Sequence, residues 1–199
     1  EIQNASPEVQ KQLLLILQDG RVRPLGGARE IEVDVKVIAA SNAPLSEAVS
    51  AGRFRPDLYM RLSPSTRVVL PPLRARPDDL AFLARRFVAR AVDEPELGLL
   101  RDQVAGATGL AANAGLRLVL GRDGRASRGA EPQAGAEGEG EALELVLPEP
   151  AWKLLRAHPW PGNVRELWMV TYNLVTFTLV EAVDAVRAGL ALTSRRLQV

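Results

Sequence analysis

The chain has 199 residues and a net charge of +1, from 25 Lys and Arg against 24 Asp and Glu, which allows one or two small domains and argues against a polyanion-coating protein. The absence of cysteine excludes a disulfide scaffold and a thiolate-held metal, and the single histidine, His158, is too few for a His-based catalytic or zinc centre. No run of about 18 apolar residues occurs and Glu1-Ile2-Gln3-Asn4 does not read as a leader, so a soluble, cytoplasmic protein with no membrane partner is expected.

Ser6-Pro7-Glu8 predicts a helix start, with a capping hydroxyl, a proline at the first helical position and an acid near the positive helix end. Val9, Leu13, Ile16 and Leu17 then recur at helical spacing until Asp19-Gly20 supplies a stop. Ile31, Val33, Val35 and Val37 alternate with Glu32, Asp34 and Lys36 and run into Ile38-Ala39-Ala40, the pattern of a strand entering a buried sheet. Arg67-Val68-Val69-Leu70 reads as a second strand, ended by Pro71-Pro72. Past Pro77, Asp78-Asp79 opens a helix with Leu80, Leu83, Phe87 and Ala91 on one face, and the half that follows reads as all-helical.

Residues 121–141 are almost entirely Gly, Ala, Glu, Arg, Ser, Asp, Pro and Gln, a composition that cannot bury enough apolar area to offset its ordering entropy and predicts a disordered loop. Leu116, Leu118 and Leu120 alternate before it and Leu143, Leu145 and Leu147 after it, so a hairpin with a long tip is the alternative for its flanks. Pro148-Glu149-Pro150 starts a helix bearing Trp152, Leu154 and Leu155. A last helix follows Trp160-Pro161-Gly162-Asn163, although Val175-Thr176-Phe177-Thr178-Leu179-Val180 is rich in β-branched residues that disfavour it.

Four short segments place polar groups where elements begin or end. Asn42 follows the predicted strand directly; at the carboxyl end of a sheet strand an amide can orient water or meet a phosphate, and it can equally cap the turn before Pro44. Arg55 and Arg61 stand six residues apart with Asp57 between them. Guanidinium groups can stabilise a transferring phosphoryl group from a neighbouring subunit, and the same residues suit a solvated helix with an Arg–Asp pair. Leu70-Pro71-Pro72-Leu73-Arg74-Ala75-Arg76-Pro77-Asp78-Asp79 reads as a rigid connection. In Trp160-Pro161-Gly162-Asn163-Val164-Arg165-Glu166-Leu167, Arg165 projects from the first turn of a helix, either toward a nucleotide phosphate or simply into solvent.

In order and separation these segments resemble the central AAA+ ATPase domain of sigma-54-dependent bacterial transcription activators. Phe54-Arg55-Pro56-Asp57-Leu58-Tyr59-Met60-Arg61-Leu62 and Trp160 to Leu167 carry the resemblance most specifically. Supporting strings are Val9 to Leu14, Leu17-Gln18-Asp19-Gly20, Gly26-Gly27 and Val35 to Asn42, and the likeness spans about residues 1–92 and 148–180. The implied fold class is α/β: a partial AAA+ P-loop core over residues 1–76, an all-helical lid over 77–190 with a low-complexity insertion at about 93–147, and a tail at 191–199. The resemblance implies that Glu1 is the glutamate of the Walker B Asp-Glu pair, with its aspartate, a magnesium ligand, falling just upstream. Asn42 takes the sensor I position, Arg55 and Arg61 match arginines acting in the adjacent subunit's ATP site, and Arg165 matches sensor II.

The implied cofactors are ATP and Mg2+. The implied partners are the sigma-54 RNA polymerase closed complex, further copies in a hexameric or heptameric ring, and DNA through a domain outside this chain; a two-component or other signal-responsive role goes with the family. None of Lys11, Lys36 and Lys153 lies in a G-x-x-x-x-G-K-[ST] loop, and the Gly-Ala-Phe-Thr-Gly-Ala loop that grips sigma-54 does not occur. The chain therefore reads as the C-terminal portion of such a domain, not expected to hydrolyse ATP alone. Two departures stand out: the 93–147 insertion, and Trp168-Met169-Val170 after the last motif, where the family has an asparagine. The alternative is a non-catalytic, truncated relic acting as an oligomerisation or interaction module. A DNA-binding module suggested by 22 Arg is set aside, because acids balance them and no reading helix is evident.

Overall fold

A computed structural model describes residues 1–24, 26–27, 29–62, 66–122, 125–126, 142–192 and 194–199. The chain divides into two compact units, Glu1–Leu70 and Pro71–Val199, against an expected division after Arg76.

The first unit is built on helix α1, Pro7–Asp19. Ser6 Oγ accepts the Val9 N–H at 3.3 Å, Pro7 fills the first helical position, and Gly20 closes the helix in the left-handed region at φ 63°, all as the local signals predict. Strands β1, Arg21–Val22, and β2, Ile31–Glu32, form an antiparallel ribbon. Helices α2, Leu45–Ser50, and α3, Pro56–Arg61, complete the unit, and Leu14, Ala48, Phe54 and Leu58 form its core with Leu13, Leu17 and Leu45 packed around them.

The long strand expected over 31–40 is limited to β2, and Arg67 to Leu70 forms no strand. Both segments are laid open: Ile38 is 87% exposed and Leu70 81%. The alternation is there, but a strand exists only through its partners. Beyond β2, the backbone bonds recorded for 33–40 are Val33 N–H to Gly20 O at 2.7 Å and Ile2 N–H to Ala40 O at 2.9 Å.

The second unit corrects the all-helical expectation. Helices α4, Asp79–Ala91, and α5, Pro95–Ala107, are followed by strand β3, Gly115–Arg122, strand β4, Arg125–Ala126, strand β5, Ala142–Leu147, helix α6, Glu149–Ala157, helix α7, Asn163–Arg187, and strand β6, Arg196–Gln198. The sheet order is β4-β3-β5-β6. The two alternating flanks do pair, but with Leu116 opposite Leu143 and Leu118 opposite Leu145: β3 and β5 run parallel and are not the expected hairpin. β6 adds in parallel, with Leu197 opposite Leu145, so the expected tail is part of the sheet. The buried leucines of these strands line one sheet face and join Val88 of α4, Val104 of α5 and Val175 and Leu179 of α7 in a single core. The expected insertion thus contains α5, β3, β4 and β5. Of the segment expected to be a disordered loop, 123–124 and 127–141 lie outside the described residues.

α7 is helical throughout despite its β-branched run. Val175 and Leu179 are fully buried, and the Thr171, Thr176 and Thr178 hydroxyls donate to the carbonyls four residues back at 2.7, 2.8 and 2.8 Å. By length and composition α7 could cross a membrane, yet its buried face is part of this unit's core. Asp102, in the middle of α5, accepts the Asn113 N–H at 2.9 Å and the Arg101 Nε–H at 2.8 Å. The Asn113 bond is the main reason its pKa is held below the ordinary value. This contact fixes the left-handed turn at Asn113, φ 69°, that leads into β3.

Leu145→Ala, in the fully buried row of the sheet, is expected to cost about 2–5 kcal/mol in urea unfolding. Ile38→Ala is expected to stay within about 0.5 kcal/mol in the same 199-residue chain.

Candidate functional site

Two of the expected site residues meet directly. The 3-10 turn Ile2–Asn4 is held beside residue 40 by the Ile2 N–H to Ala40 O bond, which brings Glu1 to the segment ending in Asn42. Asn42 Nδ2 donates to Glu1 Oε1 at 3.1 Å and Asn4 Nδ2 donates to Glu1 Oε2 at 3.1 Å. Gln3 Nε2 donates in turn to Asn42 Oδ1. A carboxylate with an amide on each oxygen is fixed in direction, and the amide that fixes it is itself oriented by a third residue. Gln3 Oε1 is buried without a partner.

The turn before Pro44 is capped by Ser41, whose Oγ donates to Ala43 O at 2.6 Å and accepts the Ala43 N–H at 3.3 Å. Asn42 is therefore free of that task, and its side chain points across to the carboxylate.

The arginine segment is anchored from within. Phe54 and Leu58 are buried in the first unit's core, and Arg55 is the N-cap of α3 with Pro56 after it. Arg55 forms a two-pronged ion pair with Asp57, Nε to Oδ1 at 3.0 Å and Nη2 to Oδ2 at 2.7 Å, while Asp57 Oδ1 also accepts the Leu58 N–H at 2.8 Å. The Arg55 hydrogen bond is the main cause that holds the Asp57 carboxyl at about 2, against an ordinary 3.8; desolvation opposes it and the Leu58 N–H assists it. Asp57 raises the Arg55 pKa in return. The Arg–Asp pair of the plainer reading is thus present. Arg61, in the last turn of α3, is exposed and makes no ion pair among the described residues.

No direct hydrogen bond among the described residues joins the Glu1–Asn42 pair to the arginines. One side chain spans the gap: Gln10 of α1 donates through Nε2 to Ala5 O at 2.9 Å and to Arg53 O at 3.0 Å, and its Oε1 accepts the Arg55 N–H at 2.9 Å. Sequence reasoning passed over it, although the signal is there. Gln10 shares a helical stripe with Leu13, Leu14 and Leu17, and an amide on an apolar stripe calls for buried partners.

Arg165 belongs to the other unit. There Trp160 is buried with Leu73, Leu80 and Leu167, and its Nε1 donates to Leu155 O at 3.0 Å. Trp160 and Asn163 take positive φ values of 49° and 53°. Asn163 Oδ1 accepts the Leu73 N–H at 2.9 Å, and Glu166 Oε2 accepts the Gly162 N–H at 2.8 Å. A Cβ on Gly162 would lie 2.7 Å from that of Glu166, so only glycine fits this turn. Trp160, Gly162, Asn163, Glu166 and Leu167 of the motif thus have structural tasks. Arg165, exposed in the first turn of α7, makes no ion pair among the described residues.

Among the described residues no three His, Cys, Asp or Glu side chains gather into a metal site, and Glu1 stands as a lone carboxylate with both oxygens engaged. The described residues do not form a magnesium site by themselves.

Comparison with known proteins bears out the resemblance. The Sigma-54 interaction domain model matches residues 1–66. The chain is 35% identical over 185 residues to the hydrogenase transcriptional regulatory protein HoxA of Cupriavidus necator, spanning 93% of this chain and 29% of that protein. It is 43% identical over 186 residues to a Nif-specific regulatory protein of Azorhizobium caulinodans, spanning 94% and 22%. It is 32% identical over 193 residues to ZraR of Klebsiella oxytoca, spanning 97% and 33%. Among solved structures it is similar to NtrX from Brucella abortus crystallised with ATP, at TM-score 0.56 and 26% identity over 89% of this chain and 30% of that one. The chain thus spans a third or less of the length of these relatives. Its architecture is a partial α/β AAA+ core followed by a unit of helices, and the parallel sheet in that second unit departs from an all-helical lid.

The Asp57 carboxyl is expected to remain ionised at pH 3 in an NMR titration, with a midpoint near 2. The folded pKa lies below the ordinary 3.8, so the pair's contribution is complete above that value and fades as pH falls through about 2. In Arg55→Ala the midpoint returns toward 3.8; an unchanged midpoint would mean that the guanidinium is not the cause.

Proposed function

We propose that this chain is part of an ATP-hydrolysing, sigma-54-dependent transcription activator that remodels the RNA polymerase closed complex. The observation that carries the reading is the Asn42–Glu1 hydrogen bond, which joins the residues expected at sensor I and at the Walker B glutamate. In this reading Glu1 directs a water at the γ-phosphate of ATP, and Asn42, bonded to the same carboxylate, changes partner when the phosphate is lost. Arg55 and Arg61 act in the ATP site of an adjacent copy within a hexameric or heptameric ring, and Arg165 acts from the second unit. Mg2+ would supply charge neutralisation at the phosphates, held by groups other than those described. A cytoplasmic location and a signal-responsive, two-component setting go with the reading, as does DNA contact through a separate domain.

Support comes from the Sigma-54 interaction domain match, from relatives named as a hydrogenase transcriptional regulatory protein and Nif-specific regulatory proteins, and from the likeness to NtrX crystallised with ATP. The non-catalytic relic is not favoured by any of these. An exposed Arg55 that already binds a carboxylate through two prongs has the geometry to bind phosphate oxygens instead.

In the full-length gene product, Arg55→Ala is expected to lower ATP turnover by about 1000-fold or more, within the range that arginine fingers contribute. Mixing it with Glu1→Ala subunits is expected to restore part of the turnover, because each supplies what the other's site lacks. Wild-type turnover in Arg55→Ala overturns the reading, and mixtures that stay inactive at every ratio overturn action across an interface.

A further inference from the structure

Among the described residues the buried polar side chains are Gln10, Thr171 and Thr178. Both threonines bond back to the carbonyl four residues earlier on their own helix. Gln10, 2% exposed, instead reaches out of α1, using both amide hydrogens and its oxygen on three backbone groups.

Those backbone groups are a specific set. Arg53 O and Arg55 N flank Phe54, whose buried ring fixes the middle of the segment. The N–H groups of Arg53 and Phe54 both go to Ala48 O, at 2.9 and 3.1 Å, and Arg55 O accepts the Tyr59 N–H at 3.1 Å. Gln10 therefore fills the two positions that the helices on either side leave open. Ala5 O, its third partner, directly follows the 3-10 turn that holds Glu1. We propose that Gln10 is a positioning residue for Arg55, locking the backbone from which that guanidinium projects onto the segment that carries Glu1.

The proposal rests on the functional reading given for Arg55. Its chemical content is that the position requires a side chain with two donors and one acceptor at this length. A methionine of similar volume offers none of them and leaves two carbonyls and an N–H unpaired in a buried place. A glutamate keeps the acceptor for the Arg55 N–H and turns an oxygen toward the two carbonyls. Arg55 itself stays exposed and paired with Asp57 in either variant; what changes is where its backbone stands.

The test uses the full-length gene product. Gln10→Met is expected to lower kcat by about 100-fold, the scale of a misplacement of about 1 Å in a reacting group, with ATP affinity unchanged. Its Arg55 amide is expected to exchange with solvent faster than in the wild type, a readout independent of turnover. Because the defect lies in the arginine offered to the neighbour, Gln10→Met subunits are expected to regain turnover when mixed with Glu1→Ala subunits, as Arg55→Ala subunits do. Wild-type kcat in Gln10→Met alongside an inactive Arg55→Ala overturns the positioning role and leaves the function standing. Unchanged Arg55 exchange, or a failure to complement Glu1→Ala where Arg55→Ala succeeds, overturns it too. Wild-type turnover in Arg55→Ala overturns both. Where Gln10→Met does not fold, Gln10→Glu decides: a lowered kcat at unchanged ATP affinity supports the role, and a wild-type kcat overturns it.

Discussion

A polar group removed from water must find partners inside the protein, and in the first unit that constraint falls on the Gln10 amide. Its three bonds tie α1 to the loop that begins α3, and the apolar contacts of Phe54, Leu58, Leu14 and Ala48 close around them. Hydrophobic burial alone would let the loop slide by a residue at little cost, since Leu and Phe accept many neighbours. Backbone hydrogen bonds to a buried amide do not tolerate such a slip, because each misplaced group stays unpaired. The position of Arg55 is therefore set by hydrogen bonding and the stability of the unit by its apolar side chains.

The second unit shows the same division of labour in the turn from Trp160 to Leu167. Trp160 and Leu167 bury themselves with Leu73 and Leu80, while Asn163 binds the Leu73 N–H and Glu166 binds the Gly162 N–H. Two non-glycine residues are held at positive φ, a cost that these contacts offset. Such a turn has little freedom to vary, which is why the string is so recognisable in sequence. Its recognisability comes mostly from folding, and Arg165 is exposed beside these fixed residues.

Elements fixed by neighbours in sequence were legible: the Ser6 cap, Pro7, the Gly20 stop, α4 after Asp78, and α7 after the Pro-Gly turn. What the sequence hid depends on distant partners. Ile31 to Val37 and Leu143 to Leu147 alternate equally well, yet the first is mostly laid open and the second is buried, because β3 and β6 flank β5 and nothing comparable flanks residues 33–40 among the described residues. Strand direction is equally invisible to alternation, which is why β3 and β5 suggested a hairpin and proved parallel. At the site, Asn42 and Glu1 were singled out through the family pattern, and their side chains meet in a hydrogen bond. Gln10 was hidden because its partners are backbone atoms, which no pattern of residue types displays.

The Arg55–Asp57 pair first looks like an argument against a role in trans, since the guanidinium is already occupied. The pair is exposed on both sides, however, and its partner is a carboxylate adjacent on the same short helix. In the proposed role in trans, exchanging the carboxylate for a neighbour's phosphate oxygens keeps the guanidinium paired with an anion, so the contribution of the Asp57 pair is replaced rather than simply lost. The same carboxylate also binds the Leu58 N–H, so when the arginine departs, Asp57 keeps a partner at the positive end of α3. In that proposed role, Asp57 holds Arg55 in one direction until a neighbour's phosphate takes its place. That combination suits a residue that must be ordered before its target arrives and mobile enough to meet it.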